Sequence, residues 1–363
     1  MKRICFFSGD ITNSGGTERV ATIIANNLLK YKVFEVYILS LVEKKDTPFF
    51  VLDNQIVHEA LYDSPIRGIT HIFGIVNRTK KYIRKNNIDV LIDIDGILDM
   101  YSIPVKFLTG VKVISWEHFN YFQNPVVPYR KITRKMAARW ADLIVVLTNE
   151  DKGYYQENLK LKCPVYSIGN PIIYDVNPTE YNSNNKLLLS VGRLTYQKGF
   201  DMLVDVAKKV LPKYPDWKWV ILGEGEDRDL LESKIKEYQL EDRLVLKGNV
   251  SNVSEYYQQA GIFVMTSRFE GLPMTLLETK PYKIPIVSFA CKTGPADLIV
   301  DSVNGYLIEE NNIDSMSEKL VGLMGDRELR IIMSAHANDG MEKFELDYIM
   351  KQWVTILADE EVI

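Results

Sequence analysis

The sequence predicts two doubly wound α/β domains, each a mostly parallel sheet with helices on both faces. Three observations predict it. The chain has 363 residues, about the length of two domains that each bury their own core. Short continuous apolar runs alternate with segments of helical periodicity almost throughout, the pattern of parallel strands buried on both sides. A polar stretch with two Asn-Pro pairs, SIGNPIIYDVNPTEYNSNN over residues 167–185, interrupts that alternation near the middle.

Taken in order, the first half is expected to form strands near 2–8, 35–41, 88–93, 111–116, 142–147 and 164–168. Between them lie amphipathic helices, such as the one carrying Val20, Ile23, Ile24 and Leu28 at helical spacing. The second half repeats the theme near 186–191, 217–222, 243–247, 261–265, 284–289 and 305–308. Asn170-Pro171 and Asn177-Pro178 mark the break, giving domains over 1–168 and 169–345. A last helix around 344–358 is expected to cross back, so that 346–363 returns to the first domain. In such sheets ligands bind at the carboxyl ends of the strands, so chemistry-bearing residues should follow strands.

Composition narrows the class. Hydrophobic residues make up 46% and charged residues 25%, an ordinary balance for a soluble globular protein. No stretch approaches the roughly 20 apolar residues that span a bilayer. The opening MKRICFFSGD lacks the apolar core of a signal peptide and reads as the first strand of a cytoplasmic protein. Cys5, Cys163 and Cys291 are odd in number and far apart, which argues for a reducing compartment and against a disulfide framework or zinc site. The four histidines form no metal-ligand cluster. Residues 1–168 carry 23 Lys/Arg against 17 Asp/Glu, and residues 169–363 carry 21 against 31, a net +6 and a net −10. Only the first half therefore suits an anionic surface.

The strongest constellation is in the second half. Strand LLLSV ends in Gly192-Arg193-Leu194, and Gln197-Lys198-Gly199-Phe200-Asp201 opens a helix. Strand IFVMTS ends in Ser267-Arg268-Phe269-Glu270-Gly271-Leu272-Pro273-Met274-Thr275, followed by a helix that carries Glu278. A nucleotide sugar fits this set. Its diphosphate gains charge as the glycosidic bond breaks, and without a metal that charge needs guanidinium, ammonium and amide donors. Arg193 and Lys198 supply the first two, and the amides from Gly271 to Thr275, with Pro273 expected at the first helical position, supply the third. Glu270 is expected to face the transferred sugar, and Glu278, one turn into the helix, to accept the ribose hydroxyls.

GRLTYQKGFD and the Glu-x7-Glu segment FEGLPMTLLE resemble the signature of retaining GT-B glycosyltransferases of family 4, group 1. The likeness extends to NPI at the hinge, LGEGED after a strand and TGPADLIVDSVNGYLI near the end, and more thinly to GGTERV and ISWEH. It implies two Rossmann-like domains facing a central cleft, with the donor bound by the second. It also implies retention of the anomeric configuration and a donor that is most often UDP-linked, with no further cofactor. The combination of FEGLPM with TGPADLI is similar to hexosyltransferases of bacterial capsule, exopolysaccharide and lipopolysaccharide synthesis. They use galactose, glucose or N-acetylhexosamine. Asp297, where relatives often have Glu, and Lys292, where many have Pro, leave the donor sugar open.

In the first half Gly15-Gly16 opens a helix after strand RICFFS. Paired glycines admit a close backbone approach to a ligand, or simply form a loop. The resemblance implies that Gly16 lines the cleft opposite the donor phosphates, and that His118, just past VKVISW, lies beside the donor sugar as a catalytic-site residue. A lone histidine is also often structural, and Glu117 beside it leaves the alignment open by one position. Gly223-Glu224-Gly225 after WKWVIL lacks the third glycine of a dinucleotide fingerprint, since Arg228 stands there. The resemblance instead implies that this loop passes near the base. Asp93-Ile94-Asp95 has the form of a metal-holding pair, but the Arg193/Lys198 clamp makes a metal unnecessary, so a metal-independent site is expected.

Two basic runs stand out: Arg67, Arg78, Lys80, Lys81, Arg84 and Lys85, and then Arg130, Lys131, Arg134, Lys135 and Arg139. The first is interleaved with Ile69, Ile72, Phe73, Val76 and Ile83, and the second follows Phe119, Tyr121 and Phe122. Solvated helix faces would explain both. Their place in the acceptor-side domain favours peripheral contact with an anionic membrane, at its cytoplasmic face, and a glycan or lipid-linked acceptor. Nucleic acid is a poor partner for an acidic chain without a nucleic-acid-binding motif. Two rivals to a transferase are a non-hydrolysing sugar-nucleotide epimerase and a non-catalytic accessory subunit of the same fold.

Overall fold

The computed structural model describes residues 1–123, 129–174 and 180–358. Asn177-Pro178 and residues 359–363 lie outside the described residues. The chain divides into two compact units, Met1–Asn170 together with the segment from Leu346 onward, and Pro171–Glu345.

The first unit holds a seven-stranded sheet of β1 (Lys2–Ser8), β2 (Phe34–Val42), β3 (Val57–Tyr62), β4 (Val90–Asp93), β5 (Lys112–Trp116), β6 (Leu143–Val146) and β7 (Val165–Ser167). Their order is β3-β2-β1-β4-β5-β6-β7, every pairing parallel. The second unit holds β8 (Leu187–Val191), β9 (Lys218–Leu222), β10 (Leu244–Gly248), β11 (Ile262–Met265), β12 (Ile286–Phe289) and β13 (Gly305–Ile308). Their order is β10-β9-β8-β11-β12-β13, again parallel. Parallel strands need crossovers, which helices supply between most neighbours, while residues 43–56 join β2 to β3 without one. Runs such as VLID, LIVV and IVSF are buried along their whole length because helices cover both faces.

Each sheet reverses strand order once, between β1 and β4 and between β8 and β11. Loops leaving those neighbours turn to opposite faces and open a crevice at the strand ends. The cores are separate. One gathers Phe7, Leu39, Leu91, Val113 and Ile144, and the other Leu188, Trp219, Val264, Leu203 and Leu320.

Two expectations are corrected. β3 is absent from the sequence reading: VHEALY has no apolar run, since it is an edge strand with Val57, His58 and Glu59 exposed. The second basic run is also not one solvated face. On the helix Arg130–Trp140, Arg130 and Arg134 are buried while Lys131, Lys135 and Arg139 are exposed. Arg130 Nη1 donates to Asp95 Oδ1 at 2.5 Å and Glu117 Oε1 at 3.0 Å, and Arg134 Nε donates to Glu117 Oε2 at 3.1 Å. Buried Glu117 demands those cations, because an uncompensated carboxylate there is far too costly.

Candidate active site

The site of the second unit grows from the reversal between β8 and β11. The loop after β8 must turn sharply into the helix Phe200–Val210, and Gly199 provides the turn at φ 64°. A Cβ there would lie 2.2 Å from the Thr266 carbonyl oxygen, so only glycine fits. The loop after β11 is laced to it: Arg268 N donates to Gln197 O at 2.8 Å, and Thr266 Oγ1 to Lys198 O at 3.1 Å. The Arg268 guanidinium forks onto Asp201 at 2.9 and 2.6 Å, which holds that carboxyl below its ordinary range despite partial burial.

This lacing brings Lys198 and Glu270 together. Lys198 Nζ donates to Glu270 Oε1 at 2.6 Å, with the two side chains 17% and 7% exposed. Lys198 crosses Gly192, where a Cβ would sit 3.2 Å from the lysine methylenes. Arg193, beside it, is exposed and makes no hydrogen bond or ion pair with any described residue. One cation is thus sheltered and paired, and its neighbour is open to an incoming anion.

Gly223 and Gly225 have a packing reason as well. A Cβ at Gly223 would lie 2.0 Å from Gly192 O, and one at Gly225 2.2 Å from Leu194 O. The loops after β8 and β9 run side by side, with Leu194 N donating to Glu224 O at 2.9 Å.

Pro273 is extended (φ −70°, ψ 109°) and precedes the helix Met274–Thr279. That corrects its expected place at the first helical position, which Met274 takes. Leu272 and Pro273 are buried, Gly271, Met274 and Thr275 half-buried, and Thr275 Oγ1 has no partner among the described residues. The TGPADL segment braces this turn. Thr293 Oγ1 donates to Glu270 O at 2.8 Å, and a Cβ on Gly294 would meet Pro273 Cδ at 2.5 Å. Glu278, one turn into the helix, accepts from Tyr257 Oη at 2.8 Å, and Tyr257 stacks on Tyr282 with ring centroids 5.4 Å apart.

In the first unit, Gly16 is exposed at the start of the helix Gly16–Leu28 after β1. His118 follows β5, 9% exposed, its Nε2 without a partner among the described residues. Burial pushes its pKa down to about 4, against the pull of Asp95, so the imidazole is neutral at pH 7. Glu117, the competing residue by sequence, is committed to Arg130 and Arg134.

Asp93 and Asp95 diverge. Asp93 is fully buried, accepts from the Ser102 hydroxyl and pairs with Asp99, whereas Asp95 is held by both Nη atoms of Arg130. Burial raises the carboxyls of both Asp93 and Asp99, and their mutual proximity adds to the rise at Asp99. Among the described residues no three His, Cys, Asp or Glu side chains gather as metal ligands.

Residues 14–175 match the family described as Glycosyltransferase Family 4, and residues 175–339 match Glycosyl transferases group 1. An uncharacterized glycosyltransferase of Haemophilus influenzae is 34% identical, over 98% of this chain and 100% of its own length. The chain belongs to the group 1, family 4 glycosyltransferases. A second relative of this glycosyltransferase, the amylovoran biosynthesis glycosyltransferase AmsD of Erwinia amylovora, is 32% identical over 98% of this chain and 100% of its own. Among solved structures, Staphylococcus aureus TarM, in complex with fondaparinux, α-GlcNAc-glycerol and UDP, superposes with a TM-score of 0.81. That match covers 99% of this chain and 100% of the other at 17% identity, which establishes the GT-B fold of the glycosyltransferase.

Sequence reasoning named the glycosyltransferase's motif residues but assigned no role to those that fix them. Arg268 and Asp201 were quoted in the motifs, yet their pairing spans 67 positions. Tyr257 and Thr293 lie 21 and 23 positions from the glutamates they touch. Only the repeated placement of polar residues after strands hinted at them.

Proposed function

We propose that this glycosyltransferase moves a hexose from a UDP-sugar to a glycan or lipid-linked acceptor in bacterial surface polysaccharide synthesis. The configuration is retained and no metal takes part. The observation that carries this reading is the Lys198–Glu270 pair beside the open Arg193 at the strand-order reversal. In the donor complex Arg193 and Lys198 take the diphosphate, so Lys198 leaves Glu270 as leaving-group charge grows. Glu270, released, receives the sugar hydroxyls, and Glu278, oriented by Tyr257, receives the ribose diol. His118, uncharged at neutral pH, offers a hydrogen bond to the sugar and no formal charge. Commitment of Asp95 to Arg130 and of Asp93 to Ser102 and Asp99 supports a metal-independent site. The UDP bound to TarM supports the choice of nucleotide, and the amylovoran role of AmsD supports the polysaccharide setting.

No helix of the described residues is long and apolar enough to cross a membrane. The acceptor is reached instead by peripheral docking of the basic first unit at the inner face of the membrane. Incubation with a panel of UDP- and GDP-sugars, with and without EDTA, tests the reaction. Slow release of UDP from one UDP-hexose, unchanged by EDTA, is the expected result. Exclusive use of a GDP-sugar, or activity lost to EDTA and restored by manganese, would overturn the donor or the metal-free mechanism. Epimerised UDP-sugar without acceptor-dependent transfer would favour the epimerase.

A further inference from the structure

An aromatic column runs behind His118. Its ring lies 4.5 Å from that of Trp116, the last residue of β5, at an interplanar angle of 46°. Trp116 meets Trp353 edge-on, with centroids 4.7 Å apart at 67°. Trp353 belongs to the helix Leu346–Leu357, which buries Ile349, Met350, Trp353 and Leu357 along one stripe. Both tryptophans are fully buried, and neither indole N–H has a hydrogen-bond partner among the described residues. Burying two unsatisfied donors carries a cost, so ring packing is what keeps the pair in place. His118 Nε2 is likewise unpartnered. The imidazole plane is therefore set by its tryptophan neighbour. The same helix packs on Gly16–Leu28, the helix that Gly16 opens. One C-terminal helix thus touches both Trp116, behind His118, and the helix that begins at Gly16.

We propose that Trp353 is a positioning residue: through Trp116 it holds the His118 ring in the orientation that meets the transferred sugar. This rests on the reading of His118 as a donor-sugar contact, and the two are separable. Trp353→Leu keeps an apolar side chain but removes the aromatic edge, Trp353→Phe keeps an edge, and His118→Ala removes the supported group. The assay is transfer or donor hydrolysis with the UDP-sugar that the panel selects, together with UDP affinity by calorimetry. The chain has four histidines, so imidazole NMR follows the His118 titration directly.

Trp353→Leu is expected to lower kcat at least tenfold while UDP affinity stays within twofold. Its His118 titration should move up from about 4 as the ring loosens and water reaches it. Trp353→Phe should recover most of the rate. If Trp353→Leu does not fold, Trp353→Phe alone should show a smaller fall in kcat with a titration shift in the same direction. Loss of activity in His118→Ala beside wild-type kcat and an unmoved His118 titration in the Trp353 variants would overturn the proposal alone. Full activity in His118→Ala would overturn the reading of His118 and the proposal with it.

Discussion

Lys198 and Glu270 satisfy each other as a sheltered ion pair, so the roles proposed for them rest on what each would exchange for in a donor complex. A charge-assisted contact to the leaving phosphate strengthens toward the transition state. Arg193→Ala and Lys198→Ala should therefore each lower kcat/KM by about 10²-fold or more, a few kcal/mol of lost stabilisation. Steady-state kinetics with both variants unaffected would remove them from the donor site. The two glutamates should separate. Glu278→Gln is expected to weaken UDP binding through the ribose, and Glu270→Gln to slow transfer with UDP affinity nearly intact; calorimetry giving the opposite pattern reverses their roles. Their motifs were readable because they are contiguous and follow strands. Asp201 with Arg268 and Tyr257 with Glu278 were not, because they meet only after β8, β10 and β11 are aligned in one sheet.

At the level of elements, strands buried on both faces announced themselves by continuous apolar runs, and β3 did not because its edge position asks for little burial. The helix Arg130–Trp140 shows the limit of reading charge from sequence. Its five cations alternate between interior ion pairs and solvent, which linear clustering does not reveal. Arg134→Met should cost about 3 kcal/mol by urea denaturation, since Glu117 would lose a buried partner. Lys135→Ser should stay within about 0.5 kcal/mol. Equal effects would mean that Glu117 is not held as described. Lys280 ties three elements in the same way, its buried Nζ donating to Leu298 O at 2.6 Å and Ala337 O at 3.0 Å. Burial lowers its pKa from 10.5 to about 8. Above pH 8 the unfolded chain therefore holds more protons on this lysine than the native one, and its contribution to stability rises until about pH 10.5. The stability gap between wild type and Lys280→Met should widen by a few kcal/mol at most between pH 8 and 10. A gap that narrows over that window would show the ammonium to be stabilised, not strained, by its site.

For the whole molecule, the asymmetry of charge is the feature that sequence exposes best: net +6 over residues 1–168 against −10 over the rest. Where apolar side chains point was not legible, since Ile69, Phe73 and Val76 fit either a core stripe or a surface. The structure divides them. Ile72 and Val76 pack on the first core, while Ile69 is 55% and Phe73 92% exposed. Lys80 and Lys81 follow on the same helix, Ile72–Asn86, with no ion-pair partner among the described residues. An aromatic ring and cations on one helix suit an anionic leaflet, where each Lys or Arg contributes about 1 kcal/mol. That attraction is screened over about 8 Å at physiological salt, so docking should weaken as salt rises. Arg84 is left intact in the test because its guanidinium donates to Leu108 O at 2.9 Å. Replacing Lys80, Lys81 and Lys85 with Ser should release the protein from anionic vesicles in a co-sedimentation assay while donor hydrolysis is unchanged. Phe73→Ser should instead remove the fraction that stays bound at high salt. Wild-type protein that ignores anionic vesicles even at low salt would leave these cations as a solvated face, and peripheral docking would lose its support.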